Sequence, residues 1–169
     1  MNFLRKKSIF FLFGWITLLV FASFHLCGQT KYESITTADG LSQGMVFDML
    51  QDKEGFIWIA TKDALNRYDG YDFKVFTNDP FNNFSLSYNT VVRLFEDSKG
   101  RIWAGTENSG LNIYDKKKGV FFRLESSPAD SNSISGNNIR AIEELPDGRL
   151  LIATVANGLN IITLPDDFF

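Results

Sequence analysis

The sequence predicts an all-β fold built from repeated four-stranded antiparallel sheets, and three observations predict it. A unit recurs three times, at spacings of 45 and 48 residues. Each copy holds short runs of β-forming residues separated by Gly, Asp and Asn turn signals. Helical periodicity is missing after residue 28. Four short strands per repeat of this length are the sequence signature of a β-propeller blade.

The chain begins with a basic start at Arg5, Lys6 and Lys7, followed by an apolar run over residues 9–26. This is the layout of a secretory signal peptide over residues 1–28, with cleavage expected after Gly28. A retained membrane anchor and a lipoprotein attached through Cys27 are the alternatives. In each case the remainder is exported. Residues 31–36 (Lys31-Tyr32-Glu33-Ser34-Ile35-Thr36) precede Leu41-Ser42 as Phe73-Lys74-Val75-Phe76-Thr77 precede Leu86-Ser87. They therefore read as an orphan outer strand of the kind that closes a ring, expected here beside the third blade or left unpaired.

Blades are expected at about 41–85, 86–133 and 134–169. Within a blade, residues 46–50 form a first strand. Asp-x-x-Gly follows, as Asp52 to Gly55 and Asp97 to Gly100, a turn in which Gly takes positive φ. Gly148 holds that place in copy three, where Leu145-Pro146 alters the turn. Ile57-Trp58-Ile59-Ala60-Thr61 suits a strand buried on both faces. A second turn carries Gly110 or Gly158 and leads into Leu-Asn-x-x, seen as Leu65-Asn66, Leu111-Asn112 and Leu159-Asn160. Residues 71–76 alternate as a partly exposed outer strand does, and Phe121-Phe122-Arg123-Leu124 takes the same place in copy two. Three blades fall short of the 4–8 that close a ring, so an incomplete ring is expected, as in the N-terminal piece of a longer protein.

Composition narrows function. The only His is His25 and the only Cys is Cys27. The chain beyond residue 28 therefore has no Ser-His-Asp triad, Cys nucleophile, His/Cys zinc site or disulfide to offer. Without its three N-terminal cations the chain carries 14 basic against 20 acidic residues, a net of −6. That balance argues against a nucleic-acid partner. No catalytic residue, metal ligand or cofactor is assigned. A membrane contact is expected only through an uncleaved N-terminus.

The polar candidates for ligand contact are Arg67, Tyr68, Arg93 and Arg140. Arg93 and Arg140 are read as equivalent places in the first strand, with Asp48 there in copy one, on the channel side of a propeller. Trp58 and Trp103 sit mid-strand in apolar runs and are read as blade-to-blade packing rather than as sugar platforms. Asp52, Asp97 and Glu96 are read as turn chemistry rather than calcium ligands. Glu143-Glu144 and Asp166-Asp167 are neighbours on a strand and point apart, so they make no acid/base pair. Lys116-Lys117-Lys118 is read as a solvated turn.

Leu-Ser-x-x-x-Val-x-x-Leu-x-x-Asp-x-x-Gly-x-Ile-Trp-x-Gly-Thr-x-x-x-Gly-Leu-Asn-x-Tyr-Asp, read from copy two, resembles the two-component regulator propeller repeat. The opening Ile35-Thr36-Thr37-Ala38-Asp39-Gly40-Leu41-Ser42 is similar to the usual start of the mature proteins of that family. The resemblance spans residues 31–169. It departs at Ala64, where Gly is usual, and at Leu151, where Trp is usual. It implies a periplasmic sensor region of a hybrid histidine kinase, with no kinase residues in this chain. It further implies an oligosaccharide ligand bound by the complete propeller, and partnership with the remaining blades and signalling domains. A structural or protein-interaction propeller is the other reading, and a carboxylate-dependent hydrolase or lyase a third.

Overall fold

A computed structural model of the chain describes residues 30–165 and 168. The expected signal peptide and Asp166-Asp167 lie outside the described residues. Of the first compact unit, Met1–Ser34, only residues 30–34 are described. They are exposed and carry no strand, with Lys31 paired to Glu33 at 2.7 Å.

The second unit, Ile35–Phe169, contains three antiparallel sheets. Blade 1 has the order β1 (Val46–Gln51), β2 (Ile57–Thr61), β3 (Leu65–Tyr68) and β4 (Phe73–Phe76). Blade 2 runs β5 (Val91–Glu96), β6 (Ile102–Thr106), β7 (Leu111–Asp115) and β8 (Val120–Leu124). Blade 3 holds β9 (Ile139–Glu144), β10 (Leu150–Thr154) and β11 (Leu159–Ile162). The all-β blade architecture is as expected. Among the described residues blade 3 has three strands, and the segment expected to supply its outer strand contains the undescribed positions.

Residues 31–36 form no ladder in the described residues. Their last residue is committed elsewhere. Thr36 caps a single 3-10 turn, Thr37–Asp39, in a reciprocal box in which its amide donates to Asp39 Oδ2 at 2.8 Å and its hydroxyl accepts from Ala38.

Blade 2 lies between the other two, and its side chains divide by strand alternation. Ile102 and Ala104 face blade 1, in one buried cluster with Trp58, Leu65 and Leu86. Trp103 and Ile113 face blade 3, in a second cluster with Ile139, Leu150 and Ile152. Every residue of β6 and β7 is therefore buried. Each indole thus packs against the next blade, as the apolar runs predict. Sheets meet closely at one point: a Cβ added to Gly105 would lie 2.6 Å from Ile139 Cγ2. The inner strands β1, β5 and β9 sit in succession at the sheet edges.

A polar staple closes each blade. Asn112 Oδ1 accepts from the Ser87 amide at 2.9 Å, and its Nδ2 donates to Ser87 Oγ at 2.8 Å. Asn66 with Ser42, and Asn160 with Ser135, repeat the pair. This is why Leu-Ser and Leu-Asn recur. Asn66 and Asn112 are fully buried, and a buried amide needs its partners in place.

Candidate functional site

The Asp-turns position the blade seams. Asp97 Oδ2 accepts the Trp103 indole N–H at 2.8 Å, and its Oδ1 accepts the Arg101 amide at 2.9 Å. The Arg101 guanidinium closes on the same carboxylate at 2.5 Å. Asp52 repeats this, taking the Trp58 indole at 2.8 Å and the amides of Glu54 and Phe56 at 3.0 Å. The turn glycine follows at positive φ, +79° at Gly100. Turn chemistry therefore explains these acids, as expected, but each also holds a buried indole.

The residue after each Asp clamps the next blade. The Lys53 amide donates to Glu96 Oε2 at 2.9 Å, and the Ser98 amide to Glu144 Oε2 at 2.7 Å. The Ser98 hydroxyl adds a bond to Glu144 Oε1 at 2.6 Å. Glu96 and Glu144 end β5 and β9, so the same place in each inner strand receives the turn.

The four proposed contact residues fall in two places. Arg67 and Tyr68 lie on β3. The Arg67 guanidinium sits 4.3 Å from the Phe56 ring centroid. Tyr68 stacks on Phe73 with centroids 4.6 Å apart and donates to the Gly70 carbonyl at 2.8 Å. Arg93 and Arg140 meet across the seam of blades 2 and 3, where Arg93 Nε donates to the Arg140 carbonyl at 2.7 Å. They are not equivalent positions. Arg93 pairs with Gly105, whereas Arg140 falls in the register shift between Ile139 and Ala141. Its counterparts are Val92 and Phe47, and each inner strand bulges at that residue. The guanidinium of Arg140 is left on an exposed residue. Asp48 is the counterpart of Arg93 and accepts the Leu94 amide at 2.9 Å, tying blade 1 to blade 2.

Lys116 corrects the reading of a solvated basic turn. Its ammonium reaches Asp52 Oδ2 at 3.1 Å, Glu54 Oε1 at 3.3 Å and Glu96 Oε1 at 3.4 Å, with its side chain 19% exposed. It belongs to blade 2 and anchors blade 1. Burial pushes the Asp52 carboxyl up, but the bonds from Trp58 and Lys116 outweigh it and hold the group below the ordinary aspartate value. Burial likewise works against the Lys116 charge, and the carboxylates beside it win and raise it. The three partners lie 62–64 and 20 residues away in sequence, so no local pattern announced the cluster.

Above Lys116 opens a cavity of about 600 Å3 on the seam of blades 1 and 2. Its wall includes Tyr114, whose phenol is pushed up chiefly by burial.

The sequence profile of the two component regulator propeller family matches residues 40–63 and 85–108. These segments are the first strand, Asp-turn and Trp strand of blades 1 and 2. Two segments of the chain match two-component regulator propeller repeats. Over 75 residues, 43% of this chain, it is 40% identical to histidine kinase P4 of Formosa agariphila, of which those residues are 6%. The repeats superpose on the extracellular domain of the hybrid two-component system BT3049 from B. thetaiotaomicron with a TM-score of 0.73 and 26% identity. That match covers 78% of this chain and 19% of the other. The extracellular domain of BT4673 from the same organism shares the fold, at 23% identity and a TM-score of 0.62, with the same coverage. The chain thus spans about a fifth of the solved propeller domains it matches.

Proposed function

We propose that this chain is part of the exported, ligand-sensing propeller of a hybrid two-component sensor, and that its ligand is a glycan. The observation that carries the reading is the superposition of its blades on the extracellular domain of BT3049. The part it plays is non-enzymatic. Glu144 is spent on Ser98 and Glu96 on Lys53, so the acids of the inner strands serve the seams. A signal passes from the ligand, through the packed blades, to domains beyond this chain. The periplasm is the compartment that fits an exported sensor of this kind.

The inner-strand end of the seam between blades 2 and 3 is the proposed contact. Arg140 projects from a bulge there, and Arg93 braces the same backbone. Arg67 and Tyr68 would contribute at a separate place on β3. The test is titration calorimetry of the folded chain against a panel of oligosaccharides, beside its Arg140→Ala variant. One class of glycan is expected to bind, with about tenfold weaker binding by the variant. A folded chain that binds no member of the panel at millimolar concentration overturns the glycan reading.

A further inference from the structure

The chain is acidic beyond its N-terminus, yet 6 of its 14 basic residues there line one cavity, the one over the seam of blades 1 and 2. The charges are layered. Below, Lys116 and Arg101 are partly buried and matched by Asp52, Glu96 and Asp97. At the rim, Lys53, Lys99, Lys117 and Lys118 are exposed, against Glu54 as the one exposed acid of the lining. The rim thus sets four cations against one acid, above a floor in which Lys116 and Arg101 face Asp52, Glu96, Asp97 and the buried Asp115.

The rim is also shaped. Lys53 is held by its ammonium on the carbonyls of Asp97 and Ser98 at 2.9 and 3.0 Å. Lys117 and Lys118 follow an Asx turn in which both amides donate to Asp115 Oδ1, at 2.8 and 3.1 Å. Lys118 stands 56% exposed, with Asp115 at 3.7 Å. The cations approach the cavity from both blades, blade 1 through Lys53 and blade 2 through the rest. A ligand with one anionic group would meet one side only. A chain with several spaced oxyanions would meet both.

We propose that this cavity binds an oligosaccharide bearing oxyanions, either carboxylates or sulfates, and that the lysine rim reads its charge. The proposal rests on the glycan-sensing function above and places its acidic ligand at a site apart from Arg93 and Arg140. Lys116 gives the site a route into the fold. An oxyanion drawn over it competes with Asp52, Glu54 and Glu96 for the ammonium that fastens blade 1 to blade 2.

The test titrates the folded full chain with three probes of equal length: an oligogalacturonide, a sulfated oligosaccharide and a neutral oligosaccharide. One anionic probe is expected to bind, and which one separates uronic from sulfated sources. Its affinity is expected to fall as salt rises from about 0.05 to about 0.5 M. The triple variant K53Q/K117Q/K118Q is expected to bind it about tenfold more weakly, and K117Q/K118Q, which leaves the Lys53 bonds to the Asp97 and Ser98 carbonyls in place, is expected to bind more weakly with an unchanged melting temperature, since exposed charges contribute little to stability. Lys31→Gln, outside the cavity, is expected to bind as the parent does. Equal affinity for the neutral probe, or undiminished binding by the triple variant, overturns the charge reading and leaves the glycan reading standing. Binding of none of the three by the parent chain, when inorganic sulfate binds, overturns the oligosaccharide assignment of this cavity, while the glycan reading is decided by the panel titration at Arg140. Because salt dependence is measured on the unaltered chain, the outcome does not rest on how the variant folds.

Discussion

Blades 2 and 3 make the same turn with different chemistry. In blade 2 the Asp97 amide donates to the Arg101 carbonyl and the Gly100 amide to the Asp97 carbonyl. In blade 3 the Leu145 amide donates to Arg149 and the Gly148 amide to Leu145. The backbone is common, but Asp97 has become Leu145 and Trp103 has become Leu151. The two changes belong together. A buried indole N–H needs an acceptor, so losing Asp97 alone leaves it unmatched, whereas losing Trp103 alone takes one donor from a carboxylate that keeps the Arg101 amide and guanidinium. The Asp and the Trp are one unit of structure, six residues apart. The comparison also extends across the seam. Ser98 donates its amide to Glu144, whereas its counterpart in blade 3 is Pro146, which has no amide hydrogen to give.

The largest expected effect tests how much each aromatic or aliphatic member supports. Trp103 is fully buried and Leu151 is half-buried. Trp103→Ala is expected to cost about 3–5 kcal/mol. Leu151→Ala is expected to cost about 1–2 kcal/mol, in proportion to the smaller area withdrawn from water. Chemical denaturation of both variants measures the ratio, and equal costs would break the distinction between the blades.

Coupling comes next. Asp97→Leu alone strands the indole and takes its carboxylate from Arg101, and is expected to cost about 3 kcal/mol. Trp103→Leu alone takes one donor from the carboxylate, which keeps Arg101. The double variant, which copies blade 3 into blade 2, is expected to cost less than the sum of the two by about 0.5–3 kcal/mol. Strict additivity in the double-mutant cycle would show that the pair does not act as a unit.

Lys116 sharpens the contrast at the seams, since it joins blades 1 and 2 only. Lys116→Met is expected to cost about 1.5–3 kcal/mol, the usual range for bonds to charged groups. It also changes the pH response. Asp52 has a lowered folded pKa, so its contribution is present above the ordinary value of about 3.9 and is lost as pH falls through the folded value. Lys116 has a raised folded pKa, so its contribution is present below about 10.4 and is lost as pH rises through the folded value. Melting temperatures across this span are expected to fall at both ends in the parent chain. In Lys116→Met the alkaline fall is expected to shrink, and an unchanged alkaline limb would place the loss elsewhere.

The smallest effect concerns the clamp. Ser98→Ala removes the hydroxyl bond to Glu144 but keeps the amide bond, and is expected to cost about 0.5–1.5 kcal/mol. Ser98→Pro, which gives blade 2 the residue of blade 3, removes both. If the proline variant is no less stable than the alanine one, the amide bond contributes nothing.

What was legible in the sequence was whatever repeats or is local. The strand runs, the Asp-x-x-Gly turns and the burial of Trp58 and Trp103 could be read because three copies present the same spacing. Ser87 and Asn112 could be seen to recur, though their bond could not. Residue type alone pairs Arg93 with Arg140, and the bulge at Val92 and Arg140 shows why period-2 counting fails there: one residue in each inner strand faces no partner. Lys116 was hidden because two of its carboxylate partners come from the Asp-turn of blade 1 and the third from the end of β5. The rim lysines were visible as a run, but their convergence on Lys53 depends on how two sheets pack.

The Ser-Asn staples have a consequence for how such a protein can grow. Each joins residues 24 or 25 apart, and none reaches into a neighbouring blade. Closing so short a loop costs little chain entropy, so a blade can begin to organise from its own segment before its neighbours arrive. The same locality makes the repeat a cassette. A duplicated stretch of coding sequence brings a staple with both of its halves, and only the seam residues, such as Glu96, Glu144 and Lys116, must be fitted afterwards to the new neighbour.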